Sequence, residues 1–533
     1  MPGPVVETRY GRIRGTVEGD LAVFRGVPYA APPIGSLRFA APQPHDAWTG
    51  VLEATSFGPM CPQPPPSLLE SVPGDPVEQS EDCLTLNIWT PGLDEGRRPV
   101  MVFFHGGGFV GGSSSVGVYD GTGLARHGAV AVTVNYRLGA LGWLAHPELA
   151  VAGPGGGVGF GNWGLLDQIA ALRFVRDNAA AFGGDPGNVT IFGESSGAMC
   201  VAALLGASTA RPLFRRAVMQ SGAAIAIGPA EAQSVTEALA TELGFGCVSR
   251  EALQRVPVAD LLAAQGRVGD AKQGDALLFQ PVVDGGVLSR HPAAEIAAGA
   301  ARGIDVMAGT NRDEWAFFTF SAGSKAAIDE ARLLELVRSQ VELAGLGDSV
   351  TAEELIAVHR AARLERGEPV DPSSLYTAIG TDWVFRLPAA RLLAAHASYH
   401  PGTYAYLFDW ETPFAGAALG SCHVLELPFV FDTVRNPFIA LFAGSGPEAE
   451  RLASAMSAAW VAFARNGDPS RGVGVTWPPY SASDRVTMRL GSVIEPVQAP
   501  MEVERSWLED RLGPYGEMES RSLDIVRPLA PRD

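Results

Sequence analysis

The sequence predicts an α/β protein built on a mostly parallel sheet, and two observations carry that prediction. Short apolar runs recur along the chain, and helical periodicity fills several of the gaps between them. The runs are residues 100–104, 129–134, 189–192, 217–220, 305–308 and 404–408. Each is rich in β-branched or aromatic side chains and mostly apolar rather than alternating, as expected of strands covered on both faces. Residues 165–182 place Leu165, Ile169, Leu172 and Val175 at helical spacing, and Gly183-Gly184 stops that pattern. Strand alternating with helix implies parallel strands with helices packed on the sheet.

The remaining stretches read differently. Residues 229–302 and 325–397 are Ala/Leu/Glu-rich with few strand signals, and they read as helical insertions over the sheet. Residues 62–76 hold six prolines and read as a loop, while the polar tail at about 515–533 reads as poorly packed. At roughly 150 residues per domain, 533 residues allow three or four domains.

Composition excludes several classes. Hydrophobic residues make up 47% and charged residues 18%, so the chain is globular rather than disordered. The formal net charge of −18 comes with no long Lys/Arg run, which argues against nucleic-acid binding. Five cysteines without a CxxC are too few for a disulfide scaffold and lack zinc-ribbon spacing. The first twenty residues contain no apolar core of a signal peptide. The uncharged stretches 99–119 and 149–166 carry six and seven glycines and are too polar for a membrane helix. The expectation is a cytoplasmic protein with no membrane and no nucleic-acid partner.

One GxSxG occurs, at Gly193-Glu194-Ser195-Ser196-Gly197. The strand-like residues 189–192 precede it and the small-residue helical run 198–205 follows. Strand, sharp turn, helix is the setting of a nucleophile elbow, which exposes the serine hydroxyl at the end of the sheet. Ser195 is therefore the candidate nucleophile, and the N–H of Ser196 points to an oxyanion hole. Glu194 is read either as tuning the local field or as solvated. His105-Gly106-Gly107-Gly108 follows the run 100–104, and its glycines leave N–H groups open to a tetrahedral oxygen. Gly107 and Gly108 are the candidate donors. His105 leads the loop and reads as a structural partner rather than a base.

These residues carry a resemblance. Phe182-Gly183-Gly184-Asp185-Pro186 followed by Asn188 through Ser195 resembles the serine signature of the type-B carboxylesterases, a family of the α/β-hydrolase superfamily. Glu81-Asp82-Cys83-Leu84-Thr85-Leu86-Asn87-Ile88-Trp89 resembles that family's second signature. Gly26-Val27-Pro28-Tyr29-Ala30, Leu37-Arg38-Phe39 and Asn135-Tyr136-Arg137-Leu138-Gly139 are also similar to family motifs. The likeness runs from about residue 11 to 480 and is nearest to the bacterial para-nitrobenzyl esterases. It implies the α/β-hydrolase fold, a small-molecule ester substrate and no metal or organic cofactor. It also implies that Cys61 and Cys83 match a pair disulfide-bonded in secreted relatives; in a reducing cytosol they are expected as thiols.

The resemblance further implies the base and the acid. The superfamily order is serine, acid, histidine. His423, in the loop after 404–408, precedes Leu425-Glu426-Leu427-Pro428-Phe429 and resembles the family's His-x-x-Glu-Leu-Pro-Phe motif, with Val424 where glycine is frequent. His359, His396 and His400 lie in helical patterns, and His291 lies before the acid. Gly309-Thr310-Asn311-Arg312-Asp313-Glu314 resembles the acid motif and makes Glu314 the expected acid, with Asp313 as its neighbouring rival. Trp315 stands where the family has glycine, and its ring would either line the pocket or shift the loop.

Other signals carry less. Gly159–Gly164 and Gly106–Gly111 match GxGxxG, but the first follows a loop and the second runs into Ser/Gly, so neither reads as a nucleotide site. His396 and His400 lack the glutamate of a zinc-binding helix. The expected function is a serine esterase working through an acyl-enzyme. The competitors are a related amidase, lipase or polyester-oligomer hydrolase, and a non-catalytic adhesion module. Because Gly107, Ser195, Glu314 and His423 must meet in one site, a single catalytic domain over 1–533 replaces the three or four that length allows.

Overall fold

The computed structural model describes residues 3–65, 78–152, 158–272, 277–321, 328–344, 346–347 and 349–515. The larger part of the proline-rich stretch 62–76, the start of the insertion at 325–397, and the tail apart from Tyr515 lie outside the described residues.

An eleven-stranded sheet organises the chain. Its central seven strands are parallel, in spatial order Val486–Leu490, Thr403–Phe408, Asp305–Asn311, Arg216–Gln220, Gly184–Glu194, Arg98–Phe104 and Val130–Val134. Antiparallel strands finish both edges: Ile494–Gln498 on one side, and Thr85–Thr90, Leu21–Pro28 and Thr16–Glu18 on the other. All six apolar runs are strands of this sheet. They are buried along nearly their whole length, because helices cover both faces and leave no solvent side for alternating polar residues.

The helices follow the same logic. Trp163–Asn178 carries the predicted periodicity and ends in a tighter turn, Ala179–Phe182, after which Gly183 takes a left-handed conformation. The 229–302 region contains the helices Pro229–Glu242, Arg250–Gln254, Val258–Ala271 and Pro292–Ala297. The second insertion contains Glu330–Leu343, Ala352–Arg366, Pro372–Thr381 and Leu387–Ala397, the last two joined by a π-turn at Asp382–Arg386. Of the histidines expected in helices, His359 and His396 lie within them, whereas His400 stands past the end of Leu387–Ala397. There it bonds Asp305 at 2.9 Å, because the chain must already be turning into the next strand. No helix among the described residues is long and apolar enough to cross a membrane. Cys61 and Cys83 are buried, neighbouring thiols; contact with Cys61 and burial push the Cys83 thiol well up.

The parallel strands all end on the same edge. That edge collects the turns after residues 104, 194, 311 and 408, and so brings the sequence-distant candidate residues together.

Candidate active site

Ser195 occupies the single residue between the strand Gly184–Glu194 and the helix Ser196–Gly206. Its φ of 54° and ψ of −127° lie in a region that L residues avoid, so the strain of the turn rests on the serine itself. Two backbone bonds hold it there: its N–H donates to Gln220 O at 2.9 Å, and its carbonyl accepts from Met199 N–H at 3.0 Å. The flanking glycines supply room. A Cβ on Gly197 would stand 2.0 Å from Phe104 O, and one on Gly193 would stand 2.5 Å from the Gly197 carbonyl carbon. The motif therefore works through close approach of three backbone segments as much as through unusual dihedrals.

The loop after the strand Arg98–Phe104 runs beside this turn. Gly107 and Gly108 have φ of 114° and 60°. Among the described residues, no acceptor is found for the N–H groups of Gly107, Gly108 or Ser196. His105 anchors the loop from below. Its ring stacks on Tyr136 at 4.5 Å, its Nδ1 lies 2.9 Å from Gly106 O, and the Tyr136 hydroxyl donates to its carbonyl at 2.6 Å. Burial pushes the His105 pKa down to about 4, so the ring is neutral and carries no catalytic proton at ordinary pH.

His423 and Glu314 meet at the same edge. Nδ1 of the imidazole is 2.7 Å from Glu314 Oε2, and both side chains are buried. The other carboxylate oxygen, Oε1, accepts the Asn311 N–H at 2.7 Å, which orients the acid toward the ring. The neighbouring rival Asp313 faces elsewhere: its Oδ2 accepts from Arg312 and from the Ser421 N–H, both at 2.9 Å. Val424 has φ of 66°, a strained conformation for a β-branched residue and the geometric reason glycine suits that position.

The structure also brings in residues that the sequence reading left open or missed. Glu194 is fully buried, which removes the solvated alternative, and its Oε1 is 3.1 Å from His423 Nε2. No hydrogen bond joins the Ser195 hydroxyl to His423; Nε2 faces Glu194 instead. Glu426, noticed only as part of a motif, is a third buried carboxylate. It accepts from Asn311 Nδ2 at 2.7 Å and from Gln220 Nε2 at 3.1 Å, and Gln220 in turn accepts from Trp460 Nε1 at 3.1 Å. A charge inside the apolar run Leu425–Phe431 was the available signal. Burial raises Glu194 well above the usual carboxylate range and raises Glu426 as well. Burial alone would lower His423; the charge of Glu194, the hydrogen bond to and charge of Glu314, and the charge of Glu426 outweigh it and hold the imidazole up at about 9.

Aromatic rings form the rest of the wall. Phe385, Phe318 and Phe317 lie 4.9, 5.0 and 5.9 Å from the His423 ring. Phe385 comes from the π-turn, and the other two from the helix Trp315–Ser321, which starts directly after the acid. Trp315 is turned away, buried against Gly380, where a Cβ would stand 2.4 Å from its ring. It fastens the acid loop to the helical insertion rather than lining the pocket. His396 is held by Thr403 Oγ1 at 2.7 Å and Ile304 O at 3.1 Å, both structural contacts.

A strand–serine–helix turn beside a glycine loop on a parallel sheet defines an α/β-hydrolase. The family model of the carboxylesterase family matches residues 2–505, and the chain belongs to that family. The chain is 39% identical over 500 residues to the para-nitrobenzyl esterase of Bacillus subtilis (strain 168), covering 93% of this chain and 96% of the relative. A solved PNB esterase superposes with a TM-score of 0.81 at 37% identity, covering 95% of this chain and 99% of that one. A carboxylesterase of Geobacillus stearothermophilus superposes with a TM-score of 0.79 at 38% identity, covering 94% and 99%. The protein is a carboxylesterase that hydrolyses small-molecule carboxylic esters by a serine-hydrolase mechanism.

Proposed function

We propose that Ser195, His423 and Glu314 are the catalytic residues of this esterase, with the N–H groups of Gly107, Gly108 and Ser196 as the oxyanion hole. The observation that carries this reading is the 2.7 Å contact between His423 Nδ1 and Glu314 Oε2, two buried groups 109 residues apart beside the strained serine. Ser195 Oγ attacks the ester carbonyl carbon while His423 Nε2 takes its proton. The carbonyl oxygen gains the negative charge and accepts from the three open N–H groups. The tetrahedral species collapses, the alcohol leaves with the proton from His423, and the acyl group stays on Ser195. Water repeats the sequence, with its proton passing through His423, and releases the carboxylic acid. Glu314 fixes the tautomer and stabilises the imidazolium that forms. His423 Nε2 lies 3.1 Å from Glu194 Oε1, so this mechanism requires the imidazole to exchange that contact for the Ser195 hydroxyl. Ser195→Ala should lower kcat for a dissolved para-nitrophenyl ester by about 10^4–10^6-fold. Turnover close to the unsubstituted level would sink the assignment.

A further inference from the structure

Two segments at the mouth of the site carry no Asp, Glu, Lys or Arg: residues 412–422, which lead into His423, and residues 436–447. They are fastened to each other. Thr412 Oγ1 donates to Phe442 O, and Trp410 Nε1 donates to Ala443 O at 2.9 Å. The helix Pro437–Ala443 turns Ile439 and Ala443 inward and leaves Phe438 and Leu441, three residues apart on one face, exposed at 57% and 68%. Leu441 is the most exposed large hydrophobic side chain among the described residues. The only two exposed phenylalanines there, Phe438 and Phe320, both belong to this rim. Single exposed apolar residues need no explanation, but a contiguous group does.

The rim is continuous with the imidazole. Phe317 and Phe318 touch His423, and Phe320 lies on the same helix. The Phe320 ring is 6.0 Å from Phe414, and Phe414 is 6.3 Å from Phe442, on the helix that exposes Phe438 and Leu441. Aromatic and aliphatic surface thus runs from the ring of His423 to solvent. The occupant that fits is apolar and uncharged. A net charge of −18 opposes anionic surfaces, and the cations flanking the rim, Arg312 and Arg435, are held by Glu411 and by Asp432 and Glu450.

We propose that this rim is a docking surface for the uncharged ester in condensed form, the surface of a droplet or emulsion, and that it delivers substrate along the aromatic track to Ser195. The inference rests on the reading of Ser195 and His423 above. It makes poorly soluble neutral esters a substrate class of the same site.

The test separates docking from chemistry by measuring adsorption in a Ser195→Ala background, where no ester is consumed. That protein should partition onto a tributyrin emulsion, and adding Phe438→Ser with Leu441→Ser should weaken the partition at least about tenfold. With Ser195 intact, the double substitution should slow emulsion hydrolysis by a similar factor. It should leave kcat/KM for dissolved para-nitrophenyl acetate within about twofold. Phe438→Leu with Leu441→Phe keeps the surface apolar and should partition normally, which controls for folding. Equal partition of the serine double variant would overturn the inference. So would a dimer in sedimentation that this variant dissolves, because a second copy would then be the occupant. Failure of the catalytic reading would show differently, as persistent hydrolysis of the dissolved ester by Ser195→Ala.

Discussion

Two buried charge clusters in this molecule invite comparison. Arg137 and Asp167 form one, packed under the sheet with side-chain exposures of 3% and 0%. The guanidinium meets the carboxylate on two sides, at 2.8 and 2.7 Å, the Arg137 N–H adds a bond at 3.1 Å, and Nη2 also donates to Ala40 O at 2.8 Å. One cation faces one anion, and the pair is locked by geometry. The other cluster is the site, where three buried carboxylates, Glu194, Glu314 and Glu426, surround a single imidazole. The charges there do not balance: burial raises Glu194 and Glu426, while the carboxylates together hold the imidazole up. A charge-matched pair holds structure together, whereas an unbalanced cluster can move a proton.

Breaking the site should cost activity, and breaking the pair should cost stability. Glu314→Gln should lower kcat by about 10^4, or about 5.5 kcal/mol, because the wrong imidazole tautomer would be held. Asp313→Asn, one residue away, should leave the dissolved-ester rate within a few-fold. A steady-state comparison of the two checks both, and the reverse ranking would move the acid to Asp313.

Asp167→Asn strips the buried guanidinium of its countercharge and should cost about 3–5 kcal/mol in denaturant unfolding. The rate per folded molecule should stay near that of the unsubstituted enzyme. A large loss of kcat at unchanged stability would mean the two clusters are coupled.

The subtlest change is in pH dependence. His423 as the proposed base must be neutral to act, and its pKa is raised from 6.5 to about 9, so kcat/KM should rise with pH through an acidic limb above 6.5. Glu194→Gln removes the strongest of the charges that hold the imidazole up, and the limb should move to lower pH. A limb that stays in place would show that Glu194 is not ionised beside His423.

The serine turn was readable in the sequence because its parts are contiguous: strand, glycine, serine, glycine and helix fall within residues 184–206. The glycine loop was readable for the same reason. Glu314 and His423 needed family motifs, since an isolated carboxylate and a loop histidine carry no local mark. Glu194 could not be settled from its neighbours. Its depth depends on Gly106, where a Cβ would stand 2.8 Å from the Glu194 carboxylate, and that loop is nearly ninety residues away in the chain. The three phenylalanines around His423 were lost among other apolar residues, because a ring in the core and a ring on a pocket wall look alike in one dimension.

By itself, then, the amino-acid order left Val486–Leu490 and the antiparallel edge strands unread, but it determined six of the seven parallel strands, that both faces of the sheet are covered, and where the strained serine turn falls. These follow from periodicity, burial and a short strained turn, all local properties. Only the tertiary structure decided that Asp313 faces Arg312 while Glu314 faces His423, that Trp315 turns into the insertion, and that Glu194 and Glu314 flank one imidazole with Glu426 close behind. Side-chain direction and the balance of buried charge depend on which distant segments meet at the edge of the sheet, and that is set by packing.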